Sequence, residues 1–361
     1  MSVPPSLRRA TGRSTPVSLA DRLFSTGEDR RTARLIEDSI EALEDRLALE
    51  TKFSGGLVDV VARYLLDAGG KRVRPILAFL TAQLGDGVND DVVTAATSIE
   101  LTHLASLYHD DVMDDADQRR GVPSAQNVWG NSIAILTGDL LFARASALLA
   151  QLGERAIRLQ ADTFERLCLG QLNETIGPRD GDDEVEHYLR VLADKTGSLI
   201  SASAQLGVIF SNGDPIYEQP VREFGEKVGI AFQLVDDVID IAPSDEESGK
   251  TPGTDIRAGV ATLPVLYLRR DAETDPAAAA LLARLTPEAL AGADGAAGAG
   301  GDGSDGDDAI RMLREHPVTQ RTVDQARRFA REATEALAPL PSGTVKKTLI
   351  RFADTVVERT S

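Results

Sequence analysis

The sequence predicts an all-α protein, and three observations carry that prediction. Apolar residues recur at three- and four-residue spacing over long windows, alternating strand-type patterns are scarce, and helix-breaking residues punctuate the windows. The first window, RLIEDSIEALEDRLALE at 34–50, reads as one amphipathic helix. The second, GLVDVVARYLLDAGG at 56–70, closes on Gly69-Gly70, a pair suited to ending a helix. Gly85, Gly87 and Asn89 then separate it from a third window, VVTAATSIELTHLASLYHDDV at 92–112. Farther on, Thr286-Pro287 marks another helix start. We expect ten or more helices in a single domain over 29–361, in a chain of 361 residues long enough for a full-sized core. Two segments depart from the pattern. Residues 1–28, rich in Pro, Ser and Arg, lack the apolar centre of a secretory signal and are expected to form a flexible tail. AGADGAAGAGGDGSDGDDA at 291–309 buries too little apolar surface to offset ordering, so a flexible surface insertion is expected there.

Composition narrows the function classes. The formal net charge is −18 and no long basic stripe offsets it, which disfavours nucleic acid and anionic lipid as partners. A single cysteine, Cys168, excludes an intramolecular disulfide framework and fits a reducing cytosol, where it reads as a small core residue. No stretch approaches the ~20 consecutive apolar residues of a bilayer span. We therefore expect a cytoplasmic protein with no integral membrane segment.

The chemistry concentrates in acidic clusters. In LASLYHDDVMDDAD at 104–117, helical geometry places Asp114 about 40° and Asp111 about 100° from Asp110, within roughly 6 Å of axial rise. One such cluster could be a solvated helix end. The pattern recurs, however, in FQLVDDVIDI at 232–241 as Asp236, Asp237 and Asp240, inside an apolar run where solvation explains it poorly. Paired sets of hard oxygen ligands suit Mg²⁺, which commonly links one or two carboxylates to substrate phosphates. Cations accompany them: GGKRVRP supplies Lys71, Arg72 and Arg74, and DQRRGVPS supplies Arg119 and Arg120, whose forks match phosphate oxygens. Neither a Walker loop nor a strand-linked G-x-G-x-x-G is present, so the pattern describes a metal-bridged diphosphate site outside the nucleotide-cradle types.

These residues carry a resemblance. GGKRVRP, HLASLYHDDVMDDADQRRGVPS, TGDLLFARA, DKTGSL, FQLVDDVIDI and GKTPGTDIRAG occur in this order, and the chain from about 35 to 355 resembles the trans-isoprenyl diphosphate synthases, the polyprenyl synthetase family. The resemblance implies a bundle of antiparallel helices around a deep central cavity, in a homodimer, with the two aspartate motifs facing each other across the mouth. It implies about three Mg²⁺ ions held by Asp110, Asp114 and Asp236, with Asp111, Asp237 and Asp240 in support. Arg119, Lys195, Thr196, Gln233 and Lys250 match contacts to an allylic diphosphate. Lys71, Arg74, His103 and Arg120 match the isopentenyl diphosphate site; His109, His187 and His316 read as structural. The implied reaction is ionisation of the allylic diphosphate, attack by the isopentenyl double bond and proton loss, with charge on the departing diphosphate stabilised by metal and cationic side chains, Lys195 among them. One departure is Val260, where family members often carry Lys; we read it as a subfamily mark.

Product length is read from the helix before the first motif. Ser106, Thr102, Ser98 and Ala105 form a strip of small side chains along it. Short-product members tend to place an aromatic residue where Ala105 or Ser106 stands, so the resemblance implies a long-chain product of the quinone side-chain class. Close helix packing would also explain the strip. Geranylgeranyl or farnesyl diphosphate synthase is the alternative product class. A terpene cyclase would carry Asn, Ser/Thr and Glu in its second motif, where this chain has DDVIDI, and a non-catalytic synthase subunit would have lost motif residues that are intact here. A long prenyl product would bring the protein into passing contact with membrane.

Overall fold

Asn89 ends the Gly-rich break by capping the longest helix, its side chain accepting the Val92 N–H at 2.9 Å, with Asp90 and Asp91 favourably placed in the first turn. This helix, α4 (Asp90–Met113), is apolar on nearly every side, so neighbours must cover it all round. The computed structural model describes residues 30–242, 252–296 and 305–358. The tail expected at 1–28 lies outside the described residues, as does Lys250. Before α4 come α1 (Arg30–Glu50), α2 (Leu57–Asp67) and α3 (Val73–Ala82). After it, a short hairpin of β1 (Gln118–Arg119) and β2 (Val122–Pro123) leads to α5 (Ala125–Trp129), α6 (Asn131–Gln151), α7 (Glu154–Ile176) and α8 (Glu184–Leu192). A π-helical turn, Ala193–Gly197, joins α8 to α9 (Ser198–Phe210), and α10 (Glu218–Asp240) follows. The remainder is α11 (Thr254–Arg257), α12 (Leu263–Ala272), α13 (Pro276–Arg284), α14 (Pro287–Ala296), α15 (Asp305–Glu315), α16 (Pro317–Ala336) and α17 (Thr344–Glu358). The protein is all-α apart from that hairpin among the described residues.

Packing aligns the two helices that carry the acidic motifs. α4 lies against α6, α9 and α3, while α10 lies against α9 and α16, so α9 separates and braces the pair. The core is centred on Phe79, Tyr108, Phe224 and Phe352, all buried, each worth roughly 2 kcal/mol of transfer free energy. A smaller cluster of Ile99, Leu149, Ala156, Leu199 and Leu206 joins α4, α6, α7 and α9 away from this core. The crossing of α9 and α10 is unusually close: a Cβ added at Gly225 would lie 2.6 Å from the Ser201 Cα, and one added at Gly229 would lie 2.7 Å from the Gly197 Cα of the adjoining π-helical turn. That approach brings the π-helical turn against α10.

Two sequence expectations bear on these helices. By length and composition alone α6 is apolar enough to cross a membrane, although it contains no uninterrupted apolar run of that length. Thr137, Asp139 and Arg144 break the run. The low-complexity stretch at 291–309 is helical at both ends, as α14 continues to Ala296 and α15 starts at Asp305. Alanine propensity favours the first extension, and Asp305, Asp307 and Asp308 complement the helix N-terminus in the second.

Candidate active site

The first acidic motif terminates α4. Asp110 and Asp111 occupy its last turn and Asp114 is the C-cap residue (φ −90°, ψ 0°). Carboxylates at the negative end of a helix dipole are unfavourable unless a cation sits beside them. The expected single face divides in two, because Asp111 is fully buried while Asp114 is exposed. Arg119 Nε donates to Asp111 Oδ1 at 2.6 Å, and Asp111 Oδ2 is buried without a partner. Gln126 fastens the loop beneath, donating to the carbonyls of Asp111 and Ala116 at 2.7 and 2.8 Å. Arg119 is positioned by the hairpin, whose turn residues Arg120 (φ 55°) and Gly121 (φ 76°) adopt the left-handed conformation of a tight two-residue connection. Burial pushes the Asp110 carboxyl up to about 6, opposed by Lys195 and reinforced by Asp114. Asp115 and Asp117 are exposed, as expected of solvated charges.

The second motif terminates α10 and again divides. Asp237, 2% exposed, accepts from Tyr188 Oη–H at 2.7 Å and from the Leu263 N–H at 3.4 Å. Burial pushes it up to about 7. Asp236 and Asp240 are half-buried. The Asp240 carboxylate accepts the N–H groups of Thr254 and Asp255 at 3.2 and 3.1 Å, so it also caps α11. Asp255 joins the two motifs: its carboxyl is pushed up to about 6 by burial and then by the charges of Asp240, Asp236, Asp114 and Glu174. One acidic mouth therefore includes residues of both motifs.

Lys195 answers that charge from the opposite wall. It lies in the π-helical turn, where a Cβ on Gly170 of α7 would come within 2.7 Å of its backbone nitrogen, and its ammonium pairs with Glu174. π-turns of this kind often accompany functional positions. The same turn sets Thr196 Oγ1 3.4 Å from Gln233 Oε1, bringing together two residues expected at one diphosphate. Val260 is exposed. Glu174, Tyr188 and Asp255 were missed in the sequence. Asp255 stands inside GKTPGTDIRAG, but a lone acid in a loop carries no spacing signal.

A basic wall forms beside the first motif. Arg74, pushed down to about 10 by burial and by Arg120, has a buried Nε without a partner. Its backbone carbonyl accepts from Ser203 Oγ at 2.5 Å, which ties α3 to α9. Arg120 Nη1 donates to the Leu65 carbonyl at 2.7 Å. His103 is held well below the usual imidazole range by burial and then by Arg74, Arg120 and Arg72, so it is neutral. Lys71 is exposed, and Arg72 is buried in ion pairs with Glu44 and Glu100. His109, His187 and His316 bond backbone groups, the last capping α16.

The small-residue strip has mixed surroundings. Ser98 Oγ donates to the Ala145 carbonyl of α6 at 2.8 Å, which is helix packing, while Thr102 Oγ1 bonds back to the Ser98 carbonyl of its own helix at 2.9 Å. Ala105 is buried in the main core, and half-buried Ser106 bonds the His103 carbonyl at 2.9 Å.

The donor set fits a hard divalent cation. No three acidic, histidine or cysteine side chains already converge as a ligand group among the described residues. Yet Asp110, at the negative end of α4, and Asp255 are both desolvated against like charges, an arrangement that a divalent ion relieves.

Comparison with known proteins bears on this site. Residues 56–289 match the model of the polyprenyl synthetase family. The chain is 40% identical to nonaprenyl diphosphate synthase of Mycobacterium tuberculosis over 95% of its length and 96% of that protein. It is similar in structure to a polyprenyl synthase from Caulobacter crescentus CB15 complexed with calcium and isoprenyl diphosphate, with a TM-score of 0.80, 28% identity and coverage of 96% of this chain and 99% of that one. A decaprenyl diphosphate synthase from Rhodobacter capsulatus gives a TM-score of 0.79 at 31% identity, covering 92% and 99%.

Proposed function

The chain belongs to the polyprenyl synthetase family, and from that premise we propose how this site works. It is a trans-prenyltransferase that makes a polyprenyl diphosphate of the long-chain type. In our reading, Asp110, Asp114 and Asp236, with Asp240 and Asp255 beside them, would hold about three Mg²⁺ ions. Bound there, the metal supplies Lewis-acid stabilisation of the charge that develops on a departing diphosphate. Lys195, Thr196, Gln233 and Arg119 orient the allylic diphosphate, and Lys195 adds a fixed positive charge where the leaving oxygen becomes anionic. Lys71, Arg74, Arg120 and neutral His103 hold isopentenyl diphosphate, the arginines as donors to its phosphate oxygens and the imidazole as a hydrogen-bonding group. The allylic C–O bond breaks, the isopentenyl double bond forms the new C–C bond, and the proton released from the condensation product goes to the departed diphosphate. Asp111 and Asp237 take no part in metal binding on this reading; they fasten the helix ends.

The observation that carries it is that Asp240 of the second motif accepts the Asp255 N–H at 3.1 Å, and that the Asp255 carboxyl also lies within the field of Asp114 of the first motif. The test is incubation of the purified chain alone with farnesyl diphosphate, isopentenyl diphosphate and Mg²⁺, followed by chromatography of the dephosphorylated alcohols. A ladder ending in one long prenol is expected; no condensation would overturn the reading. Ala105→Phe should shorten the product, and an unchanged product would displace the growing chain from this face of α4. The reading includes a homodimer, supported by exposed Ile135, Leu136, Ile157, Leu169 and Leu172 on the adjacent helices α6 and α7.

A further inference from the structure

The basic wall holds several cations that repel one another, and the Glu100 carboxylate is buried among them. A Cβ on Gly70 would lie 2.5 Å from Arg72 Nη1 and 3.2 Å from Arg120 Nη2, so two guanidinium groups converge over that residue. Glycine at position 70 is what leaves room for them. Arg74 is close enough that the charge of Arg120 depresses its pKa, and His103 feels Arg72, Arg74, Arg119 and Arg120 together. Glu100 lies one turn before His103 on α4, with a side chain 5% exposed. Arg72 Nη1 donates to Glu100 Oε1 at 3.1 Å, and the Glu100 charge also favours the charged forms of Arg74 and Arg120.

Arg72 is the mechanical link. Its guanidinium, 8% exposed, reaches Glu100 on α4 at one edge and Glu44 on α1 at the other, with Nε to Oε1 at 2.5 Å and Nη2 to Oε2 at 3.3 Å. Its backbone has φ 48° and ψ 34°, a left-handed conformation that a non-glycine residue keeps only when its surroundings enforce it. The turn therefore carries Arg72 inward while neighbouring Lys71 remains exposed. Arg72 also forms the N-cap of α3, the helix that carries Arg74.

We propose that Glu100 is a positioning residue for isopentenyl diphosphate: through Arg72 it holds the guanidinium groups over Gly70 assembled before that substrate arrives. The inference rests on the site assignment proposed above. Gathered guanidinium groups repel, and a buried counter-charge offsets that repulsion without occupying the substrate's place. Without it the cluster relaxes and must reassemble at each binding event, which weakens binding and leaves bond-making untouched. The allylic side is built from the π-helical turn, α10 and Arg119, and Arg119 is held by Asp111 of the first motif, so this side should be indifferent to the change.

Steady-state kinetics of the full chain with both substrates varied provides the test. Glu100→Gln, which keeps the shape and removes the charge, should raise KM for isopentenyl diphosphate about tenfold, with kcat and the allylic KM held within about threefold. Glu100→Asp should restore part of the loss. The Glu100→Gln/Arg72→Gln double variant should be no worse than the worse single variant, since both act through one contact. Arg72→Lys, which leaves Glu100 in place and loses the fork, should give the same split if Glu100→Gln does not fold. An equal rise in both KM values, an unchanged isopentenyl KM, or additive single effects would overturn the proposal. Absence of condensation by the unsubstituted chain would instead overturn the site assignment itself.

Discussion

The two acidic motifs end two different helices, and each turns its second carboxylate inward, but the partners it finds there differ. At the end of α4, Asp111 meets a cation, Arg119, at 2.6 Å. At the end of α10, Asp237 meets neutral donors, the Tyr188 hydroxyl and the Leu263 N–H. Burial raises both carboxyls, but at Asp111 the Arg119 charge opposes the shift, whereas Asp237, with only neutral donors, is pushed up to about 7. The same D-D pattern therefore uses its second residue as an electrostatic anchor in one copy and as a hydrogen-bonded peg in the other. The first carboxylate of each pair shares the acidic mouth, since Asp110 is coupled to Asp114 and Asp236 to Asp255.

The comparison breaks most visibly in activity. Asp110→Ala should lower kcat/KM by about 10³-fold, ~4 kcal/mol of transition-state stabilisation, while Asp237→Asn costs less than about tenfold. Near-normal turnover of Asp110→Ala at saturating Mg²⁺ would remove the mouth from the mechanism. A second contrast lies in stability. Asp111→Asn leaves Arg119 without its counter-ion and should cost about 2 kcal/mol in urea unfolding, against less than about 1 kcal/mol for Asp237→Asn, whose amide oxygen can still accept from Tyr188. Equal losses would mean that the two inward carboxylates are equivalent after all. The smallest effect belongs to the peg alone: Tyr188→Phe should cost about 1 kcal/mol in the same measurement, with the Asp237→Asn/Tyr188→Phe pair coupled. Fully additive losses would show that the hydroxyl bond contributes nothing.

Much of this organisation was legible in the chain. Apolar spacing announced the helices, and Gly85, Gly87 and Asn89 marked the break before α4, while the capping role of Asn89 emerged only in the structure. The repeated D-D-x-x-D spacing located both helix ends that form the mouth. Helical angles failed at Asp111 because a wheel describes one helix in isolation. Arg119 and Gln126 arrive from the hairpin and α5, and they decide which carboxylate is covered. Glu174 and Asp255 were invisible for a related reason: each is a single acid whose neighbours come from other helices. Ser98 read as a small residue on a strip, and only the Ala145 carbonyl opposite shows that its hydroxyl serves helix packing. The π-helical turn at Lys195 follows from close approach to Gly170, which no local pattern encodes. Glu100 likewise read as one more helix residue until Arg72 and Glu44 were seen around it.

By itself the sequence determined the helical class, the family and the two aspartate motifs with their accompanying cations, because periodicity and motif spacing are properties of one chain segment at a time. The tertiary structure alone decided which acids share a mouth, which are turned into the core, and which carboxylate gathers the arginines. Burial and Coulomb interaction depend on what lies within a few ångströms in space, and here those neighbours are often more than twenty residues away in the chain, as Arg72 and Glu100 are.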